Sequence, residues 1–384
     1  MSELRFIHSA DTHLVSPDKP EGEHRLRVLR ELCHLARGTD ALVLAGDLFD
    51  SAQEAASLEK PLREIFAEMR PARVLIIPGN HDTLRGPDPF DGRFDFGQGG
   101  NVHIFNKKPF DVLDVRGTAF YGFPFSRSQT SFEMTRDMQP RRSETRVAIM
   151  HGLAADRPQL ASFALESGNR EEGGESVLRD ADLRNAGFSY AALGHIHRQE
   201  VWEHGEGCVL AYAGSPDPVR ITETGPRRAL AVKLDRRSGL AKAHPVELKS
   251  AGRAFSRDFF LFPGDEDELA AALETFIESC GPATKAAARV SGLGDTEKTA
   301  RLRARLLEKW RPKLPLGLEI ALSIEAAPSE TAGDMALYGF LRAMKERGAD
   351  GETRNPELER RVLAAGWRAL LGQRLDPEDL LENK

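Results

Sequence analysis

Cysteine is scarce in this chain of 384 residues: Cys33, Cys208 and Cys280 are odd in number and far apart. That excludes a disulfide framework and a thiolate metal site, and it predicts a reducing compartment. No run of about 18 uncharged apolar residues occurs, so no membrane span is expected. There is no excess of positive charge either, since 53 basic residues face 59 acidic ones and leave a net charge of −6. Such a balance gives no global attraction to nucleic acid, and any contact of that kind must rest on local patches. The first strand-like run already begins at Leu4. That leaves no room for a signal peptide and predicts a cytoplasmic protein. No histidine follows His244, so whatever imidazole chemistry the chain performs lies before that point.

What is present is concentrated in five short stretches: Asp11-Thr12-His13, Gly46-Asp47-Leu48-Phe49-Asp50, Gly79-Asn80-His81-Asp82, His151-Gly152 and Gly194-His195-Ile196-His197. Together they supply seven metal-capable side chains, Asp11, His13, Asp47, Asn80, His151, His195 and His197, plus one further histidine, His81. Each stretch ends an apolar run, so ligands far apart in sequence are expected to converge at one edge of a sheet. Carboxylate and amide oxygens with imidazole nitrogens suit borderline or hard divalent ions, so the expected cofactors are two divalent metal ions, with Mn²⁺, Fe²⁺ and Zn²⁺ as the candidates. Two cations about 3.5 to 4 Å apart need an anionic oxygen between them, and Asp47 is the best placed bridge.

The order D-x-H, G-D-x-x-D, G-N-H-D, H-G, G-H-x-H resembles the calcineurin-like metallophosphoesterases over residues 5 to 220. Leu48-Phe49-Asp50 and Tyr212-Ala213-Gly214-Ser215-Pro216 narrow the likeness to the SbcD-like double-strand-break-repair nucleases, as does the long remainder of the chain. The resemblance implies that Asp11, His13, Asp47 and His197 hold one metal and that Asp47, Asn80, His151 and His195 hold the other. It leaves His81 unligated, facing the phosphate as the catalytic residue that stabilises charge or protonates the leaving oxygen, with Asp82 orienting it. One departure stands out: archaeal and eukaryotic relatives often carry a histidine where this chain has Asp50. Here Asp50 either orients a ligand or caps the Ser51 to Ala56 region.

Residues 4 to 9, 41 to 46, 73 to 78, 146 to 151 and 190 to 195 read as buried strands. Apolar spacing of three to four predicts helices over Glu23 to Arg37 and Ser57 to Met69, which makes βαβ units. Asn101 to Phe105, Asp111 to Val115, Thr118 to Tyr121, Val209 to Tyr212 and Leu230 to Leu234 add further strands. The predicted fold class is α/β: a calcineurin-like two-sheet β-sandwich flanked by helices, then a small α+β capping domain and a C-terminal helical tail. The expected domains are a nuclease domain at 1–250, a cap at 251–328 and a tail at 329–384. The cap reads as strand Asp258 to Phe262, helix Glu266 to Ser279, strand Ala286 to Gly292, helix Thr296 to Trp310 and strand Leu316 to Glu325.

Two amphipathic tail segments, Thr331 to Glu346 and Pro356 to Gly372, either dock on their own chain or bind a coiled-coil ATPase partner, as terminal helices do in the resembling nucleases. Basic residues cluster over Ser126 to Arg146 and over Thr299 to Lys313. Arg301, Arg303 and Arg305 in the second cluster are the candidate DNA contacts, with a solvated helix face as the plain alternative.

The functional expectation is a DNA exonuclease and endonuclease using hydroxide held between two metals, acting in DNA repair with an SMC-like ATPase. The partners expected are DNA, that ATPase and a second copy of the chain, with no membrane. The alternatives are a small-molecule phosphodiesterase or phosphatase, and a DNA-end-binding scaffold with a vestigial site.

Overall fold

The computed structural model describes residues 3–84, 86–138, 145–160, 176–204, 207–262 and 264–325. The segment proposed as a helical tail, 329–384, therefore lies outside the described residues. Contacts divide the chain into two compact units, Met1–Arg253 and Ala254–Lys384.

The first unit begins as a run of βα repeats. Strand β1 (Glu3–Ser9) leads to helix α1 (Gly22–Ala36), β2 (Ala41–Ala45), α2 (Ala55–Ala67), β3 (Arg73–Ile77) and the single turn α3 (Asn80–Thr83). Then come β4 (Val102–Ile104), β5 (Asp111–Val115), β6 (Thr118–Gly122), α4 (Ser131–Thr135), β7 (Thr145–His151) and the short pair β8 (Leu153–Ala154) and β9 (Val177–Leu178). The unit closes with α5 (Asp180–Asn185), β10 (Tyr190–Gly194), β11 (Glu200–Glu203), β12 (Val209–Tyr212), β13 (Arg228–Asp235) and β14 (Ala241–Glu247).

These strands build two six-stranded sheets, ordered β14-β13-β1-β2-β3-β4 and β11-β12-β10-β7-β6-β5. In the first, β1 to β4 run parallel, with Phe6 opposite Ala41 and Ala45 opposite Ile77. In the second, β6, β7, β10 and β12 run parallel, with Gly194 opposite His151. Parallel strands are covered on both faces, which is why β2 reads Ala-Leu-Val-Leu-Ala without alternation. Leu42 and Leu44 pack outward on α1 and α2 with Leu29, Leu32, Leu58 and Leu62. Val43 and Ala45 face inward, where Leu75, Ile77, Phe120, Val147 and Ile149 fill the space between the sheets. The outer face of the second sheet, with Met150 and Leu193, is covered by Met134 and Leu183. Each such fully buried aliphatic side chain is worth about 1.5–3 kcal/mol. The fold is thus two mixed sheets flanked by helices, the arrangement that the resemblance implies.

Besides the two-residue strands β8 and β9, the longer strands β11 and β14 fall outside the predicted stretches. Both are edge strands, with the sequences Glu-Val-Trp-Glu and Ala-Lys-Ala-His-Pro-Val-Glu. Edge strands carry polar residues and tolerate a proline such as Pro245, so they lack the apolar signature used to find the others.

In the second unit, β15 (Arg253–Leu261), α6 (Glu266–Ser279), β16 (Thr284–Leu293), α7 (Thr296–Trp310) and β17 (Leu318–Glu325) give a three-stranded sheet ordered β15-β16-β17. Strands β16 and β17 are parallel, joined by α7, whose N-terminus is capped by the Asp295 carboxylate accepting from Lys298 N at 2.9 Å. Strand β15 starts earlier than its apolar stretch predicts, because Ser256 and Arg257 interrupt the pattern while the backbone stays paired. No described helix is long and apolar enough to cross a membrane.

Candidate metal centre

The C-terminal ends of β1, β2, β3, β7 and β10 carry all five motifs, so the fold brings them to one edge of the two facing sheets. The sheets approach closely there. A Cβ on Gly194 would lie 1.9 Å from the Ala45 carbonyl oxygen, and one on Gly46 (φ +91°) would lie 2.2 Å from His151 Nδ1. Glycine at these positions is the space through which ligands from one sheet reach those of the other. The backbone is also bent to aim them: Asp11, His13, Asp47 and His195 have φ of 53°, 43°, 50° and 101°. They are four of the six non-glycine residues with positive φ among the described residues. Each costs about 1–3 kcal/mol, a strain that concentrates at functional sites.

Asp47 occupies the middle. Its Oδ1 accepts from His81 N at 2.9 Å, while Oδ2 lies 3.3 Å from His151 Nε2 and 3.8 Å from His13 Nε2. On one side His13 Nε2 and His197 Nε2 face each other at 3.2 Å, and donor atoms of Asp11, His13 and His197 all fall within 4.8 Å of one another. On the other side Asn80 Oδ1 lies 2.7 Å from His151 Nε2 and 3.2 Å from His195 Nδ1, with Asp11, Asp47 and His151 forming a second compact group. All seven proposed ligands therefore meet in one buried cluster.

The donor set fits divalent cations. His151 Nδ1 donates to the Ala45 carbonyl at 2.9 Å, which leaves Nε2 bare toward Asp47 and Asn80. The Asn80 Nδ2 group is buried without a hydrogen-bond partner, so the residue is held for its oxygen. Burial works against charge on His151, yet Asp47 and Asp11 raise its pKa to about 9. Burial likewise opposes ionisation of Asp47, but His151, His81 and His13 hold its carboxyl well below the ordinary range. The cluster calls for positive charge at these positions, which a metal supplies in place of protons.

His81 stands beside this cluster, its ring 4.7 Å edge-to-face from His13. Its Nδ1 donates to the Asp50 carbonyl at 2.9 Å. His13, Asp47 and His81 also present donor atoms within 4.8 Å of one another. The expected role of Asp82 needs correction. Its carboxylate accepts from Gly79 N, Leu48 N and Phe49 N at 2.8, 3.2 and 2.9 Å, so it ties the loop after β2 to α3 and does not bond the His81 ring nitrogen that the Asp50 carbonyl takes. Buried beside Asp47, it has a pKa raised to about 7, chiefly by burial.

The open choice for Asp50 resolves toward orientation: its carboxylate is 3.5 Å from His13 Nδ1 and 3.9 Å from Arg25 Nη1, and that guanidinium also donates to the His13 carbonyl. Burial would raise the Asp50 pKa, but His13 and Arg25 bring it to about 2. The structure adds one residue that no motif signalled, Glu223, whose Oε1 accepts from His197 Nδ1 at 2.7 Å. A metal-binding imidazole generally has such a partner. With 59 acidic residues in the chain, sequence could not say which.

Arg301, Arg303 and Arg305 lie on α7 in the second unit and do not form one patch. Positions 301 and 305 share a face one turn apart, while 303 points roughly 200° away. Arg301 pairs with Glu297 at 3.1 Å, and Arg303 Nε donates to the Ile320 carbonyl at 2.6 Å. Of the other basic stretch, Arg146 is buried, and Arg141 and Arg142 lie outside the described residues.

Sheet order, strand-end ligands and the cluster together define a phosphoesterase of the two-sheet kind, and the chain belongs to the calcineurin-like phosphoesterase family, whose sequence profile matches residues 4–199. Among curated proteins it is 29% identical over 247 residues to the uncharacterized metallophosphoesterase YhaO of Bacillus subtilis, covering 59% of this chain and 56% of that one. It is 24% identical over 231 residues to the DNA double-strand break repair protein Mre11 of Saccharolobus solfataricus, covering 57% and 56%. It is 26% identical over 286 residues to a subunit of the nuclease SbcCD from Rhodobacter capsulatus, covering 63% and 68%. The match thus spans just over half the length of the first two relatives.

Proposed function

We propose that this chain is a dinuclear metal-dependent phosphodiesterase that cuts DNA as an exonuclease and endonuclease, working in cytoplasmic DNA repair with an SMC-like coiled-coil ATPase. The observation that carries the reading is Asp47 Oδ2 between His13 and His151, which belong to the two separate ligand sets. Asp11, His13, Asp47 and His197 would hold one divalent ion, and Asp47, Asn80, His151 and His195 the other, with Mn²⁺ the first choice and Fe²⁺ or Zn²⁺ substitutes. When bound, the ions supply Lewis acidity toward a phosphoryl oxygen and acidify water enough to give a nucleophile near neutral pH.

His81 supplies what remains. Its main chain is fixed on Asp47 and its Nδ1–H on the Asp50 carbonyl, so the doubly protonated imidazolium is the form that would pass a proton from Nε2 to the leaving oxygen. Asp82 serves this step indirectly, by holding the two loops that carry Asp47 and His81 together.

The likeness to proteins named for double-strand break repair and to part of a named nuclease supports DNA as the substrate and a partner protein. In this reading residues 251–328 cap the catalytic domain and 329–384 bind the ATPase, with a homodimer as the working form. A second reading, a phosphodiesterase of small substrates, draws on the net charge of −6 and on the dispersal of the three arginines. Degradation of linear duplex DNA in Mn²⁺, measured against hydrolysis of bis-p-nitrophenyl phosphate, separates them: cleavage of the chromogenic diester alone would overturn the DNA assignment.

A further inference from the structure

Glu223 lies in the loop between β12 and β13, outside every motif, and gathers donors from three directions. Its Oε1 accepts from His197 Nδ1 at 2.7 Å and from Arg220 N at 3.1 Å. Its Oε2 accepts from Ser215 Oγ at 2.7 Å, Val219 N at 3.1 Å and Arg227 Nη1 at 3.5 Å. Such a carboxylate has little freedom to rotate, because each oxygen is held from the main chain as well as from side chains.

The position decides the state of His197. With Nδ1–H given to Glu223, the imidazole is fixed as the tautomer whose Nε2 is bare, and that nitrogen is the one facing His13 Nε2 at 3.2 Å. The ring is locked in direction as well as in protonation. The opposite imidazole set is backed differently, since His151 Nδ1 meets a neutral carbonyl, that of Ala45.

We infer that Glu223 is a positioning residue: it presents His197 to one of the two ions, and its loss weakens that ion while leaving the other in place. The inference rests on the dinuclear reading above and deepens it. Among the described contacts His197 is the one proposed ligand that the carboxylate meets, so its influence passes through His197.

The test is metal binding by the full chain, stripped of metal and titrated with Mn²⁺, with bound ions counted by elemental analysis and melting temperature followed in parallel. Wild type is expected to bind two ions. Glu223→Ala should keep one at wild-type affinity and bind the other about 10–100-fold more weakly, the usual consequence of removing a carboxylate behind a metal-binding histidine. Glu223→Gln, which keeps an oxygen able to accept from Nδ1–H, should recover much of that loss, and it decides the matter if the alanine variant does not fold. Two ions at wild-type affinity in both variants, with only the melting temperature lowered, would overturn the inference and leave the dinuclear reading standing. A wild-type chain that binds no Mn²⁺ would overturn that reading and this inference with it.

Discussion

In residues 3–253 buried carboxylates and imidazoles crowd against one another at the ends of five strands, whereas among the described residues of 254–325 the buried polar ones are Thr284, Ser291 and Thr299. The second unit's strands and helices meet through Phe259, Leu273, Phe276, Leu306 and Ile320, and nothing in that core needs an ion. Buried charge is expensive unless it is paired, and in the first unit Asp47 and Asp11 lie against His151 and His13, an arrangement a divalent cation would stabilise.

Substitutions can break that contrast or sharpen it. The largest effect should come from Asp47→Ala, which removes the carboxylate shared by both ligand sets. Bound metal should fall below two ions per chain and diester hydrolysis should drop on the order of 10³-fold or more. Elemental analysis beside a rate assay reads both. His81→Ala is the next step down: both ions stay, and kcat falls about 10²–10⁴-fold. Full loss of metal in that variant would move His81 into the ligand set, where its approach to His13 and Asp47 makes it a candidate.

Leu306→Ala tests the other unit. Leu306 is fully buried, and its truncation should cost about 2–5 kcal/mol of stability in that unit by thermal or urea unfolding, with metal content unchanged. A loss of metal would show that the two regions are not separable in this way. The smallest effect belongs to Arg301→Ala, an exposed residue whose partner Glu297 lies one turn away. It should shift stability by no more than about 0.5 kcal/mol. If Arg301 meets a phosphate, the salt dependence of DNA binding should flatten by about one unit of slope.

The same contrast governs what could be read beforehand. The ligand strands were legible because a parallel strand covered on both faces carries a largely apolar run, and each run gives way to Asp11, Asp47, Asn80, His151 or His195 at its C-terminal end. The edge strands β11 and β14 were not, since one side of such a strand meets solvent. Asp82 was misread for a related reason. Its adjacency to His81 in sequence suggested a partnership, whereas the turn of α3 directs its carboxylate back to the backbone of residues 48, 49 and 79. The arginines of α7 were grouped by spacing along the chain, but a period of about 3.6 residues separates 303 from 301 and 305.

Sequence alone determined the identity of the donors and the order in which they occur, because each is placed by a local device: an apolar strand, a glycine, a turn. It likewise determined that no thiolate takes part. Which donors face which was decided only in three dimensions. His13 meets His197 across 184 positions, and Glu223 reaches His197 from a loop without any motif. Those pairings depend on how closely two sheets stack at Gly46 and Gly194, and sheet stacking is set by the sum of many packed side chains, not by any one stretch of chain.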